Sequence, residues 1–213
     1  MCGNGSPGVH REGGDDAILH WPRTLAAKGC ESLQPQHLHF RQRAAQDSTL
    51  HCFLLDCSAS MLRHGGLVLA KAMLLSWCDQ IQRNGDQALV IGFGGETAHL
   101  LLGSQGIARD RTWLDEIPAG GGTPLAAGID MLETQLRQSR QRYPIGQSIC
   151  WLLTDGRFTQ LPPAPVGASS CVLVDCDESA VIAGRAAALA ERWRAPCYRA
   201  RELIEEPGGT AVV

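Results

Sequence analysis

An alternation of apolar runs with amphipathic segments limits this chain to a small set of folds. Four runs have the length and composition of strands buried in a sheet: LHCFLL (50–55), QALVIGF (87–93), SICWLL (148–153) and SCVLVD (170–175). Three segments repeat apolar residues at the spacing of one helical face: 66–83, 125–136 and 178–194. Strands that alternate with such helices are typical of a mostly parallel sheet covered on both faces. The sequence therefore predicts an α/β, doubly wound fold.

Shorter elements are predicted around this pattern. AHLLLG (98–103) follows the turn residues Gly94 and Gly95 and predicts a further strand, and PCYRA (196–200) predicts a last one. A short helix is expected at 109–116. In the N-terminal part, RTLAAKG predicts a helix that ends at Gly29, and HLHFRQR alternates like an edge strand.

A length of 213 residues fits one domain with short tails. The Gly-rich residues 1–16 are expected to be disordered, and residues 205–213 to form a flexible tail. Between them, residues 17–204 are expected to form a single domain, with an N-terminal extension at 17–48 and the core at 49–204.

Composition excludes several classes of protein. A net charge of −3 and a pI near 6.1 provide no basic surface for nucleic acid. The sequence contains no apolar run of about 18 residues that would span a membrane and no apolar signal segment. The nine cysteines form no CxxC pair, so they are expected to be reduced and structural. These features together predict a cytoplasmic protein.

Oxygen-bearing side chains cluster where three loops are expected to meet. Asp56, Ser58 and Ser60 follow the strand at 50–55, and Asp155 follows the strand at 148–153. Thr123 follows three glycines in a connection that approaches the same edge. In a doubly wound sheet, ligands bind beyond the carboxyl ends of the strands, at the point where the strand order reverses.

A donor set of hydroxyls and carboxylates suits a hard divalent cation. The sequence therefore predicts a site for Mg²⁺, with Mn²⁺ as a possible substitute. Two carboxylates and three neutral hydroxyls leave the cation electrophilic, so it can accept one more carboxylate from an acidic partner.

DCSAS, the threonine of GGGTPL and the aspartate of LLTDGR together resemble the metal-ion-dependent adhesion site of von Willebrand factor A (VWA) domains. The resemblance implies a Rossmann-like, doubly wound domain. It also implies direct ligation of the cation by Ser58, Ser60 and Thr123, with Asp56 and Asp155 contributing directly or through water.

A narrower resemblance covers the chain from about Trp21 to Leu203. WPRTL, RQR, GGGTPLAAGI, WLLTDGR and VLVDCDE are similar to the C-terminal domain of magnesium chelatase D subunits and of related cobalt chelatase subunits. It implies a non-catalytic adaptor whose partners are an AAA+ ATPase subunit and a large tetrapyrrole-binding subunit. Two departures matter. Ala59 replaces a usual glycine, which a negative φ would tolerate, and no P-loop is present, so ATP hydrolysis is expected from a separate chain.

Other interpretations of the same residues remain open. Asp56 and the two serines could only cap the following helix, and the glycines could cradle a phosphate. Cys57 could be a nucleophile with His64 or His99 as base, and Asp56 could be phosphorylated. The domain could also be a general interaction module for another AAA+ complex.

Overall fold

The computed structural model describes residues 17–19, 21–28, 34–42, 48–104, 112–114, 120–142, 145–177 and 184–205. The chain divides into two compact units, Met1–Ala45 and Gln46–Val213. The predicted disordered segment 1–16 and residues 206–213 of the predicted tail lie outside the described residues. The proposed domain boundaries stay a prediction.

The first unit contains a small antiparallel sheet. Strand β1 (Ala17–Leu19) pairs with β2 (Phe40–Gln42). Helix α1 (Trp21–Lys28) and a 3₁₀ turn (Pro35–His37) lie between them in the chain. The predicted helix and strand are therefore present, although Gly29 lies outside the described residues. The pairing with β1 was not predicted, because three residues are too few to show a period.

The second unit is built on a six-stranded sheet with the order β5-β4-β3-β6-β7-β8. Its strands are β3 (Thr49–Asp56), β4 (Gln87–Gly94), β5 (Thr97–Leu102), β6 (Gln147–Thr154), β7 (Ser170–Asp175) and β8 (Cys197–Arg199). All neighbouring pairs are parallel except β4 and β5, which form an antiparallel hairpin. The strands that follow β3 in the chain, β4 and β5, lie on one side of it, and the later strands β6, β7 and β8 lie on its other side. The strand order therefore reverses between β3 and β6.

Helices complete the second unit. They are α2 (Ala59–Arg63), α3 (Gly66–Asn84), α4 (Leu125–Arg142), α5 (Gly184–Trp193) and α6 (Ala200–Glu205). Helix α3 ends as predicted at Gly85, whose φ of 70° is readily adopted by glycine. Of the predicted helix at 109–116, the structure describes only a 3₁₀ turn at Thr112–Leu114. Residues 178–183 of the last predicted helix lie outside the described residues.

Side chains of β3 alternate between two hydrophobic cores, one on each face of the sheet. Phe53 and Leu55 pack with α3, whereas Cys52 and Leu54 pack with α4 and α5. Because side chains alternate along a strand, an apolar run of this kind is stable only when both faces are covered. This arrangement confirms the predicted α/β, doubly wound, mostly parallel fold with helices on both faces.

The described ranges also bear on the cysteines and on membrane insertion. Every cysteine in them is a free thiol: Cys52, Cys57, Cys78, Cys150, Cys171, Cys176 and Cys197. Five of these are buried, where a thiol packs as a small hydrophobic group.

No helix in these ranges combines the length and the apolar character needed to cross a bilayer.

A buried histidine lies among the aromatic residues of the α3 side. Trp151 packs against Trp77 and Phe53, with ring centroids 5.3 and 6.2 Å away. Its Nε1 donates a hydrogen bond of 3.2 Å to His51 Nδ1. Burial lowers the pKa of His51, and the charge of Asp86 opposes this by raising it. The imidazole is therefore held neutral, as an acceptor toward Trp151.

We predict that His51→Gln reduces the acid sensitivity of the fold. With a lowered pKa in the folded state, His51 contributes stability above the ordinary value of about 6.5, and this is lost as pH falls through the folded-state pKa. Glutamine keeps a carbonyl acceptor for Trp151 but does not titrate. Urea unfolding at about pH 7.5 and about pH 5.5 should show the variant gaining stability relative to the wild type on acidification.

The control is His99→Gln, because His99 is exposed. This variant should follow the wild type at both pH values. An unchanged stability difference between His51→Gln and the wild type at the two pH values would contradict the prediction.

Candidate metal centre

The carboxyl ends of β3 and β6 bring two of the predicted ligands to one edge of the sheet. Leu55 of β3 is in register with Leu153 of β6, so Asp56 and Thr154 are the next residues of adjacent strands. Asp155 follows Thr154 directly. This edge is the point of strand-order reversal, where doubly wound folds bind ligands.

Asp56 is fully buried and is oriented by two hydrogen bonds. Its Oδ1 accepts a bond of 2.9 Å from the Ser58 N–H, and its Oδ2 accepts one of 2.6 Å from Thr154 Oγ1. The pKa of Asp56 is raised to about 6, chiefly by burial and also by the charge of Asp155, against hydrogen bonds from Thr154 and Ser58 that lower it. A carboxylate with this environment is stabilised by a nearby cation.

The two serine hydroxyls lie side by side. Ser58 Oγ and Ser60 Oγ are 3.1 Å apart, and both residues are buried. Ser58 is extended (φ −64°, ψ 164°) and Ala59 begins α2, so the first turn of the helix brings Ser60 beside Ser58.

The capping interpretation of these serines is wrong for Ser58. This residue occupies the N-cap position of α2, yet its side chain makes no capping hydrogen bond. Its hydroxyl is directed to Ser60 instead. Ala59 has no positive φ, so the absence of the usual glycine causes no backbone strain.

Asp155 has one satisfied and one unsatisfied oxygen. Its Oδ1 accepts a hydrogen bond of 3.1 Å from the Arg157 N–H. Its Oδ2 is buried and has no hydrogen-bond partner among the described residues, and Arg157 Nε is 3.7 Å away. Leaving a buried polar atom without a partner costs about 1–3 kcal/mol, so such an atom requires an explanation.

The glycine loop connects Thr123 to the same edge. The Gly120 N–H donates to the Cys57 carbonyl at 2.8 Å, and the Gly121 carbonyl accepts from the Ala59 N–H at 3.2 Å. Thr123, two residues further on, is half-buried and borders a cavity of about 450 Å³. The loops that carry Ser58 and Thr123 are therefore hydrogen-bonded to each other.

The glycines also permit a close contact with the turn between β4 and β5. The Gly95 N–H donates to the carbonyls of Gly120 and Gly122, at 2.8 and 3.1 Å. Gly121 has a φ of 71°, and a Cβ built on it would lie 2.6 Å from Gly95 Cα. A phosphate cradle needs free N–H donors, but the Gly120 N–H already donates to the Cys57 carbonyl, which disfavours the phosphate-cradle interpretation.

The environment of Cys57 argues against a role as a nucleophile. Its thiol is buried in the core on the α3 side, and Sγ lies 3.4 Å from the Leu55 carbonyl. Burial raises the pKa of Cys57 to about 12, and the charge of Asp56 raises it as well. His64 and His99 bond to Ser60 and Thr97 instead. A thiol that stays protonated in a packed core is a poor nucleophile.

Several residues at this edge were not predicted as part of the site. Thr154 lies just beyond the predicted strand 148–153 and was given no role, although its hydroxyl donates a hydrogen bond to Asp56. Asp175, at the end of β7, is buried, and burial raises its pKa. Arg157 lies between Asp155 and Asp177, with ion-pair distances of 3.7 and 3.6 Å. The signal that could have found them is their position just after or at the end of a parallel strand.

The loop after β6 is fixed by helix α5. Gly156 has a φ of 72°, and a Cβ built on it would lie 3.1 Å from Ala186 Cβ. Arg185 Nη2 donates to the Thr159 carbonyl at 2.7 Å, and Trp193 Nε1 donates to the Pro162 carbonyl at 3.0 Å. Packing and hydrogen bonds from α5 therefore fix the loop that carries Asp155.

The donor set fits a hard divalent cation. It combines an orphaned carboxylate oxygen, a second buried carboxylate and an adjacent pair of hydroxyls. Within the described ranges, no three His, Cys, Asp or Glu side chains group in a way that could hold a metal ion. A cation at this edge would therefore depend on the hydroxyl oxygens.

Comparisons with known proteins agree with the fold. The chain superposes on a minor pilin, PilB, of Streptococcus sanguinis with a TM-score of 0.54 at 10% identity, covering 75% of this chain and 59% of the pilin. It superposes on proximal thread matrix protein 1 of the mussel byssus with a TM-score of 0.51 at 16% identity, covering 78% and 47%. At these identities the likeness shows the fold alone.

Sequence comparisons relate the chain to magnesium-chelatase subunits. It is 34% identical over 113 residues to the 67 kDa subunit of Chlorobaculum parvum, covering 53% of this chain and 18% of that subunit. It is 30% identical over 139 residues to the 60 kDa subunit of Rhodobacter capsulatus, covering 63% and 24%. It is also 31% identical over 207 residues to an uncharacterized protein of Mycobacterium tuberculosis, covering 87% and 32%.

The chain thus spans about a third or less of the length of these curated relatives. No protein-family model matches it.

We predict that Thr154→Val destabilises the fold by about 1.5–3 kcal/mol at neutral pH. Valine has the shape of threonine but leaves Asp56 Oδ2 without its donor, and a buried charged group that loses a hydrogen bond is costly. Thr154→Ser keeps the hydroxyl and should recover most of the loss. Urea unfolding of both variants measures the effect, and equal stability of the valine and serine variants would contradict this role of the hydroxyl.

Gly121→Ala should destabilise the protein by more than about 1 kcal/mol, because its positive φ and its contact with Gly95 both exclude a Cβ. Gly65→Ala separates the two causes, since Gly65 has a similar φ of 78° but nothing within 4 Å of a built Cβ. Thermal unfolding should therefore rank Gly121→Ala as the more destabilised. The reverse ranking would show that the contact with Gly95 is not limiting.

Proposed function

We propose that this chain contains a VWA domain with a metal-ion-dependent adhesion site. In this proposal, Asp56, Ser58, Ser60, Thr123 and Asp155 hold Mg²⁺, and Mn²⁺ can replace it. The observation that carries the proposal is the buried Asp155 Oδ2, which lacks a hydrogen-bond partner at an edge that also holds Asp56 and the serine pair. A divalent cation would neutralise the two buried carboxylates and make use of the hydroxyls.

The hydrogen bonds at this edge suggest how each residue would contribute to holding the cation. Thr154 and the Ser58 N–H orient Asp56, so that its carboxylate stays fixed while buried. The hydrogen bonds of Gly120 and Gly121 join the loop that carries Thr123 to the loop after β3, and in this proposal they would hold Thr123 within reach of the cation. When bound, the cation would supply an electrophilic position that a carboxylate of another protein can occupy. The site is thus suited to metal-dependent recognition of an acidic segment.

The relationship to magnesium-chelatase subunits suggests the protein complex in which the acidic segment would be recognised. We infer that the chain serves as an adaptor in an ATP-dependent chelatase that inserts magnesium or cobalt into a tetrapyrrole. Its partners would be an AAA+ ATPase subunit and a large subunit, bound through a Glu or Asp that completes the metal shell. The chain would not catalyse the insertion; it would couple the partners by holding an acidic segment.

A second candidate function is an adaptor for a different AAA+ complex. The match that covers 87% of this chain is to a protein whose name specifies no complex, whereas the two matches to chelatase subunits cover 53% and 63%. Retention of a chelatase-type ATPase or large subunit on the immobilised chain would support the first function. Retention of another ATPase, with neither chelatase subunit bound, would support the second.

We predict that Thr123→Ala and Asp155→Ala each abolish Mg²⁺-dependent partner binding and leave the fold intact. Each variant removes one oxygen donor of the proposed metal shell, and affinity for the cation alone is already weak because the partner supplies a ligand. Calorimetry of partner binding, in Mg²⁺ and in excess chelator, measures the effect, and circular dichroism checks the fold.

The matched controls are Thr134→Ala and Asp130→Ala, two exposed positions on α4. Both should bind like the wild type. Equal affinity of the wild-type chain for its partner in Mg²⁺ and in chelator would refute the proposal.

A further inference from the structure

Arg157 is a cation built into the edge that we propose to bind a metal. Its guanidinium lies 3.7 Å from Asp155 Oδ2 through Nε and 3.6 Å from Asp177 Oδ2 through Nη2. The two carboxylate side chains are only 2% and 6% exposed, whereas the arginine side chain is 42% exposed. One partly exposed positive charge on the solvent side therefore faces two buried carboxylates.

The contact between Arg157 and Asp155 is loose. A separation of 3.7 Å exceeds the 2.7–3.2 Å of an N–H···O hydrogen bond, and Asp155 Oδ2 has no hydrogen-bond partner among the described residues. An ion pair with one partly exposed partner is weak, so the guanidinium can leave at little cost.

Only Oδ2 of Asp155 is available to a cation, and the Arg157 guanidinium and a metal ion would compete for it. Its Oδ1 is engaged by the Arg157 N–H, which leaves Oδ2 for either the guanidinium or a metal ion. Two positive charges at the same oxygen repel each other. Occupation of Oδ2 by a divalent ion therefore requires the guanidinium to move away.

We propose that Arg157 is an internal counter-cation that competes with the metal for Asp155 and favours divalent over monovalent ions. This inference rests on the metal site of the proposed function. With no metal bound, the guanidinium compensates the buried Asp155 charge. A monovalent ion that replaces it exchanges one positive charge for another and gains little, whereas a divalent ion brings a second charge to Asp155 and Asp56. Asp177 keeps the displaced guanidinium near the site.

The experiment measures binding of Mg²⁺ alone, by calorimetry on the full chain at constant ionic strength with tetramethylammonium as the monovalent ion. Arg157→Gln removes the competitor and should tighten Mg²⁺ binding about threefold or more, which is the ratio expected for loss of a partly exposed ion pair. Repeating the titration in Na⁺ should weaken Mg²⁺ binding to the variant more than to the wild type.

Two controls separate direct competition from a change in net charge. Arg137→Gln removes the same charge from an exposed position on α4 and should bind Mg²⁺ like the wild type. Arg157→Lys keeps the charge and should stay within about twofold of the wild type. An Arg137→Gln variant that tightens binding as much as Arg157→Gln would overturn the proposal, and so would a lysine variant that matches the glutamine variant.

A spectroscopic readout distinguishes a counter-cation from an arginine that only braces two loops. In the wild type, the Nε–H nuclear magnetic resonance signal of Arg157 should shift with the same midpoint as Mg²⁺ binding. A signal that does not move while Mg²⁺ binds would overturn the inference and leave the proposed function intact. Failure of the wild-type chain to bind Mg²⁺ at all would instead refute the metal site itself.

Discussion

The buried carboxylate of Asp56 is the constraint on which the rest of the site depends. It lies at the reversal of strand order, fully removed from solvent and within the field of Asp155. Burying an isolated charge is unfavourable in free energy, so neighbouring groups have to stabilise the carboxylate with hydrogen bonds or opposite charge. The Thr154 hydroxyl and the Ser58 N–H supply part of this stabilisation. The pair of hydroxyls of Ser58 and Ser60 and the carboxylate of Asp155 lie near Asp56 at the same edge of the sheet.

Much of the fold was readable from the sequence, because its signals are local. The runs that became β3 and β6 show in their own residues that they are buried on both faces, and the face of α3 repeats within a few turns. The adjacency of the ends of β3 and β6 followed from the general rule for strand-order reversal. In contrast, β1 and β2 have three residues each, and their pairing depends on contacts that no local pattern records.

The candidate site was predicted as a set of residues but not as a set of contacts. Asp56, Ser58 and Asp155 were found because polar residues after apolar strands are conspicuous. Thr154 follows the predicted strand directly, but its role was missed because the hydrogen bond to Asp56 crosses from β6 to β3 and no local pattern records it. The place of Arg157 beside Asp177 depends on β6 and β7 being neighbours, which is a property of the sheet and not of either segment. The side-by-side serine hydroxyls likewise arise from the first turn of α2.

The packing of α5 on the loop after β6 has a mechanical consequence. A Cβ built on Gly156 would lie 3.1 Å from Ala186 Cβ, closer than an ordinary van der Waals contact, and Arg185 donates a hydrogen bond from the same helix to the Thr159 carbonyl of the loop. Packing this close couples the positions of helix and loop. A displacement of α5 along the sheet would therefore also move the peptide next to Asp155, at the edge that carries the candidate site.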